Sequence, residues 1–204
     1  MIYIPNADFE TFEHLYKINL VNCCSGYKSA NLLGSKSVRG VENLAVFSSV
    51  THIGSDPALL GFFCRPTSVA RNTYDNIKDT GFYTINHIHA GILKDAHHTS
   101  AKYDAEISEF DKTDLLSEYK NEFHAPFVKS APLQLAMQLE AEYPIKENGT
   151  ILVIGQIKGI YVQEGLLKAD GFINLSEGKV SAINGLDAYA VADSSVRFEY
   201  QRPK

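Results

Sequence analysis

The sequence predicts a mainly β fold, a β-barrel with helical insertions. Short runs rich in apolar and β-favouring residues lie on both sides of a polar, helix-prone stretch at 91–122. That order of strands, insertion and strands differs from the β-α-β alternation of a parallel sheet. Leu133, Leu135, Met137 and Leu139 alternate with Gln134, Ala136, Gln138 and Glu140, the period of a strand with one buried face. The run 150–162 is interrupted by Gly155 and Gly159. Glycine inside a strand marks a bend, a bulge or a close backbone approach, which a small barrel needs in order to close.

The first forty residues, with Gly26, Gly34, Gly40 and many Ser and Asn, read as loop and short helix over a core. Strands are expected at 44–51 and 58–64. After Pro66 a short helix is expected over 73–80, with Asn72 as N-cap, Asp75 in the first turn and Gly81 as the terminating glycine. A strand at 82–88 precedes the insertion. A last strand is expected at 195–200, ended by Pro203.

A chain of 204 residues, 45% of them hydrophobic, can bury a full core, and it is expected to form one domain over 1–204. Net charge is −5 and the basic residues are scattered, so a nucleic-acid partner is not expected. The N-terminus has no basic and apolar signal pattern, and no apolar run is long enough to span a bilayer. Cys23, Cys24 and Cys64 form neither a disulfide framework nor a C-x-x-C site. A cytoplasmic protein with reduced thiols and no membrane partner is the expectation.

Several familiar chemistries find no pattern here. There is no G-x-G-x-x-G after a strand, and the glycines at 171 and 178 are too widely spaced for a phosphate loop, with Val180 in place of Ser or Thr. His97 and His98 are adjacent and cannot share a helix face, so no metal site is expected. Asn148-Gly149-Thr150 reads as a turn entering a strand.

The informative stretch is 43–86. Arg65 and Arg71 flank a Pro-Thr-Ser turn, and guanidinium forks match phosphate oxygens in pairs. Asn72 and Thr73 stand where a helix begins, and free N–H groups there favour an anion. Ser48, Ser49 and Thr51 add hydroxyls from a neighbouring strand, and Asn43 adds an amide. An ordinary surface loop before a capped helix has the same look. A flavin would need this mixture of polar edge, apolar packing and phosphate cradle.

These residues stand in the order of a known family. The carriers are Asn43-x-Ala45-x-x-Ser48-Ser49, Arg65-Pro66 and Arg71-x-Thr73-x-x-Asn76-Ile77-x-x-Thr80-Gly81-x-x-x-x-Asn86, followed by Ser100-Ala101-x-Tyr103, Ser108-Glu109-Phe110, Ala125-Pro126, Gly155-Gln156-Ile157 and Gly185-Leu186-Asp187-x-Tyr189. From about Asn22 onward the chain resembles the flavin-reductase-like, FMN-binding split-barrel family, which includes flavoredoxin and the reductase components of two-component monooxygenases. The resemblance implies a Greek-key split barrel, a homodimer, and FMN, with FAD as the alternative, near the subunit interface. By position, Asn43, Ala45, Ser48 and Ser49 would meet the isoalloxazine and ribityl chain. Arg65, Arg71 and Thr73 would lie near the phosphate, and His97 and Lys102 would close over the ligand from the insertion. Many relatives carry Gly-Asp-His before the long strand; here Asn148-Gly149-Thr150 stands instead.

Two activities follow from the resemblance. In one, NAD(P)H reduces bound flavin by hydride transfer and the protein supplies orientation and exclusion of water. In the other, a flavin-carrying electron-transfer protein is reduced by a partner protein. No catalytic acid or base is singled out.

Overall fold

The computed structural model describes residues 1–203. An N-terminal helix α1 (His14–Cys23) leads into β1 (Lys28–Ser29), β2 (Asn31–Lys36), β3 (Glu42–Phe47), β4 (Thr51–Ser55) and β5 (Ala58–Cys64). Helix α2 (Asn72–Thr80) and β6 (Phe82–His87) precede the insertion, which carries α3 (Leu93–His98) and β7 (Ser117–Glu118). The chain continues through β8 (Phe127–Val128), β9 (Leu133–Ile145), β10 (Thr150–Val162), β11 (Ser181–Asn184) and β12 (Ala188–Val191).

The main sheet is antiparallel, with order β3-β2-β6-β9-β10-β5-β4. Its two outermost strands, β3 and β4, are consecutive in the chain and separated only by Ser48, Ser49 and Val50. The four Cα steps from Phe47 to Thr51 span at most about 14 Å, so the sheet must curl until the end of β3 and the start of β4 come within that reach, although no ladder joins the two strands among the described residues. The expected split barrel with helical insertions is therefore observed. The long β9–β10 hairpin supplies the curvature, with register shifts at Ile154/Gly155 and Ile157/Gly159. Its turn takes Gly149 at φ 72°, and Asn148 Oδ1 accepts from the Thr150 N–H at 3.0 Å.

Two apolar cores follow from the two faces of the curled sheet. Inside the barrel, Leu33, Phe62, Tyr83, Ile85, Leu135, Met137 and Val153 pack together, with Phe62 edge-on to Tyr83 at 5.6 Å between ring centres. Outside, Leu32, Leu44 and Ile88 pack under Ala96, Phe110 and Leu115 of the insertion. The outer face of β6 is polar but satisfied. Thr84 donates to the Pro126 carbonyl at 2.6 Å, and Asn86 links Leu32 O, Thr84 and the Val128 N–H. Helix α2 ends as expected: Gly81 has φ 79° and its N–H closes on Ile77 O.

Five sequence expectations are corrected. The stretch 44–51 is not one strand, because the chain turns at Ser48–Val50 to pass from one sheet edge to the other. The first forty residues include β2, a wholly internal strand and not a covering loop. Its Gly34 is required by packing: a Cβ there would collide with Pro126 O and Thr84 Oγ1. Arg71, not Asn72, is the N-cap of α2, and Asn72 is its first helical residue. Gln134 and Ala136 are buried along with their apolar neighbours, because the β7–β8 layer covers β9's second face; Gln134 bonds Val128 O, Glu118 and Lys120. The expected strand 195–200 has no partner among the described residues, of which β12 is the last strand.

Gly155 is also a packing glycine. A Cβ there would lie 2.9 Å from Tyr83 Cζ and closer still to its hydroxyl, which is buried without a hydrogen-bond partner among the described residues. Gly155→Ala is expected to lower stability by about 1–3 kcal/mol through overpacking. Adding Tyr83→Phe should restore part of that loss, because it removes the clashing atom and a buried hydroxyl that costs about 1–3 kcal/mol unpaired. Urea denaturation of the four combinations checks this; strictly additive losses would refute the close approach.

Candidate functional site

The site starts from strand register. Pairing of β2 with β3 sets Ser35 opposite Asn43 and Leu33 opposite Ala45, so Asn43 enters the barrel end that α2 covers. Asn43 is buried; its amide donates to Thr73 Oγ1 at 2.8 Å and reaches Ser35 Oγ at 3.4 Å. One helical turn on from Thr73, Asn76 donates to the same Ser35 oxygen at 3.2 Å. These contacts hold the first turn of α2 against β3. Thr73 only accepts in this pair, so its own proton remains available to a ligand.

Around that helix start, cationic and donor groups are left over. The backbone N–H groups of Asn72, Thr73 and Tyr74 have no backbone acceptor among the described residues, as first-turn groups do not. Arg71 is half-buried; its Nε donates to Pro66 O at 3.2 Å, which orients the guanidinium and leaves its Nη groups without another bond among the described residues. Arg65 is exposed beyond the end of β5 and makes no side-chain hydrogen bond or ion pair among the described residues. Asp75 Oδ2 accepts from the Arg71 N–H at 3.3 Å.

The insertion is tied to this end of the barrel. Asn72 Nδ2 donates to Tyr103 O at 3.3 Å, and the Tyr103 hydroxyl pairs with His98 Nε2 at 2.7 Å. Lys102, adjacent to Tyr103, is exposed and unpaired among the described residues. His97 is engaged elsewhere: its Nδ1 lies 3.2 Å from the Tyr189 hydroxyl on β12. Ser49 is held at the barrel seam, where its hydroxyl accepts from the Phe63 N–H at 3.1 Å. Ala45 and Ser48 are half-buried. Of the sequence-derived residues, Asn43 and Thr73 thus touch directly and Arg71 belongs to the same helix start, while exposed Arg65 and Lys102 each precede a residue, Pro66 and Tyr103, whose carbonyl bonds that helix start.

Sequence reasoning gave no chemical role to Ser35, Asn76, Tyr103, Glu109 or Tyr189. Glu109 is 4% exposed and accepts the Leu44 N–H at 2.8 Å, one residue from Asn43. Burial lifts its carboxyl above the usual range, and the Leu44 N–H draws it partly back. Ser108 before it, whose hydroxyl accepts from Phe110 N, was the one legible sign of a capped turn there. Cys64 is buried and its pKa is pushed up to about 11 by desolvation, against the lowering charge of Arg71, so it stands as a thiol and not a nucleophile.

Residues 28–179 match the family model described as the flavin reductase like domain. The chain belongs to this family. A split-barrel-domain structure from Shewanella frigidimarina, provisionally described as a flavin reductase, is 40% identical with a TM-score of 0.95, covering 98% of this chain and 100% of that one. Nitrilotriacetate monooxygenase component B from Bacillus cereus shares the fold at 20% identity and TM-score 0.83, over 97% of this chain and 98% of that one. Flavoredoxin from Desulfovibrio vulgaris shares it at 18% identity and TM-score 0.75, over 86% and 92%. No curated protein sequence matches significantly. Among the described residues of the flavin-reductase-like chain, no helix is long and apolar enough to cross a membrane.

The residues present fit the family's flavin. Free first-turn N–H groups, an oriented Arg71 and an unpaired Arg65 suit a phosphate. The Asn43–Thr73 pair, buried below them, offers directed polar groups to a ribityl chain or ring edge.

Glu109 makes the site's stability depend on pH. Its folded pKa is raised, so its contribution is fully present below the unfolded value and is lost as pH rises through the folded value. Glu109→Gln keeps an acceptor for Leu44 N–H but cannot ionise. It is expected to abolish that loss, leaving the variant flatter than wild type from pH 4 upward in urea midpoints; parallel profiles would rule out Glu109 as the titrating group.

Proposed function

We propose that this chain binds FMN and transfers a hydride from NAD(P)H to it, acting as an NAD(P)H:flavin oxidoreductase. The observation that carries the reading is the cluster of unpaired donors at the start of α2, with Arg71 oriented by Pro66 O above the buried Asn43–Thr73 contact. A terminal phosphate monoester carries up to two negative charges and suits that cluster, which favours FMN over FAD. Flavin accepts a hydride and can pass its electrons on singly or in pairs. The chain's residues bind and orient: Arg65, Arg71 and Thr73 take the phosphate, with Lys102 closing from the insertion. Asn43, Ala45, Ser48 and Ser49 border the ribityl chain and ring; His97, given by the resemblance as closing over the ligand, is bonded to Tyr189 and is assigned no ligand contact. Adjacent exposed thiols at Cys23 and Cys24 accord with a cytoplasmic location.

A second reading, an electron carrier reduced by a partner protein, draws support from the β9–β10 turn. Asn148 there spends its side-chain oxygen on the Thr150 N–H and hydroxyl, and Asn148-Gly149-Thr150 itself contains no titratable side chain.

Arg71→Ala is expected to weaken FMN by about 10- to 100-fold, the equivalent of roughly 1.5–3 kcal/mol for a charge-assisted hydrogen bond. Riboflavin, which has no phosphate, should bind the variant nearly as it binds wild type. Ser49→Ala should weaken both flavins alike. Titration calorimetry reads all four constants, and equal losses of FMN and riboflavin on Arg71→Ala would defeat the phosphate assignment. Anaerobic bleaching of the yellow complex by NADH or NADPH supports the reductase; a colour unchanged by both supports the carrier.

A further inference from the structure

Val196, Phe198 and Tyr200 alternate with Arg197, Glu199 and Gln201, the pattern of a strand with one apolar side. Yet this segment has no ladder partner among the described residues, and the three apolar side chains are 77%, 85% and 91% exposed. Arg197 is its tie to the body. The guanidinium donates to Asp170 at 2.7 Å and lies 4.1 Å from the centre of the Phe172 ring. In an extended segment successive side chains point to opposite sides, so seating Arg197 turns the apolar three outward.

The whole chain shows the same imbalance. None of the residues of α1 is buried, although Leu15, Tyr16 and Val21 are large and apolar. The chain exposes 12611 Å², whereas a compact monomer of its mass exposes about 9,500 Å². An excess of about 3,000 Å² per chain, roughly 6,000 Å² over two copies, is ample for the roughly 2,000–5,000 Å² in total that permanent interfaces cover.

An extended segment with one apolar side adds naturally to an unpaired sheet edge. The main sheet has two edges. That of β3 is covered, since Glu109 takes the Leu44 N–H and the insertion packs along it. That of β4 is open: among the described residues, 51–55 make no backbone hydrogen bond beyond the ladder with β5. Beside it Ile53 and Phe63 are each 41% exposed. The edge of β12 is also free but exposes no large apolar side chain.

We propose that residues 196–200 of one chain add as a strand to the β4 edge of a second copy, reciprocally, with Val196, Phe198 and Tyr200 packed against Ile53 and Phe63. The segment and β4 are both five residues long, and a two-fold exchange closes on itself. The acceptor edge adjoins Ser49, whose hydroxyl bonds Phe63, two residues before Arg65, so the second copy borders the candidate flavin site. The contact itself requires no flavin, and its fate is independent of the reductase reading.

The test uses full-length chains with Cys23→Ser and Cys24→Ser. One preparation carries Ile53→Cys and the other Val196→Cys, Phe198→Cys or Tyr200→Cys; all four positions are exposed, so folding is spared. Mixed and oxidised, at least one pairing is expected to give a disulfide-linked dimer, while Ile53→Cys mixed with Val38→Cys gives none. In the parent chain, amides of 51–55 should exchange at least tenfold more slowly than in a Phe198→Ser/Tyr200→Ser variant. The proposal is overturned by absence of any inter-chain link, by a bond within one chain when both cysteines share it, or by equal exchange rates.

Discussion

Ser48, Ser49 and Val50 are a short link between the two outermost strands of a seven-stranded sheet, and much else depends on that. Because β3 and β4 cannot be a sheet's width apart, the sheet has to close. Closure gives Leu33, Phe62, Tyr83 and Val153 a common interior. It also puts the link itself at the seam, where Ser49 continues the β4–β5 contact through its hydroxyl and Phe63 N–H. The loop that permits closure is thus the loop proposed to border the flavin.

Closure also determines where α2 can sit. The helix covers the barrel end at which β2 and β3 present Ser35 and Asn43, and the contact is made by hydrogen bonds from Asn43 and Asn76. Polar docking is directional, since an amide that misses its acceptor in a buried setting costs about 1–3 kcal/mol. The start of α2 is therefore held in place while its first-turn N–H groups and the Arg71 guanidinium stay unspent. Such preorganised donors suit an anion because they need not be gathered when it arrives.

The insertion adds a second layer and with it a second set of constraints. Phe110 and Leu115 bury the outer face of β2 and β3, and Glu109 is carried in among them as a carboxyl with one backbone donor. Asn72 and Tyr103 tie the same layer to α2. At the opposite extreme, α1 and the C-terminal segment bury almost nothing in a single chain. The molecule is thus well packed around its barrel and site but unbalanced at its two ends.

Local chemistry determined much from the sequence alone. A short apolar run marked β5 and a glycine-interrupted one marked β10 to the residue, Gly81 stopped α2, and Asn148-Gly149 made the hairpin turn, because each depends only on neighbours in the chain. The ordered motifs from Asn43 to Asn86 carried the family and hence the barrel. Other features depended on residues distant in sequence. Whether Gln134 was buried depended on a layer some fifteen residues upstream, and whether β2 was strand or cover depended on β6, about fifty residues downstream. Asn43 and Thr73, Asn72 and Tyr103, and Leu44 and Glu109 meet only after the sheet has curled. The segment 195–200 shows the limit most clearly. Its alternation specifies a strand, but a strand is completed by a partner's backbone, and one chain does not supply it.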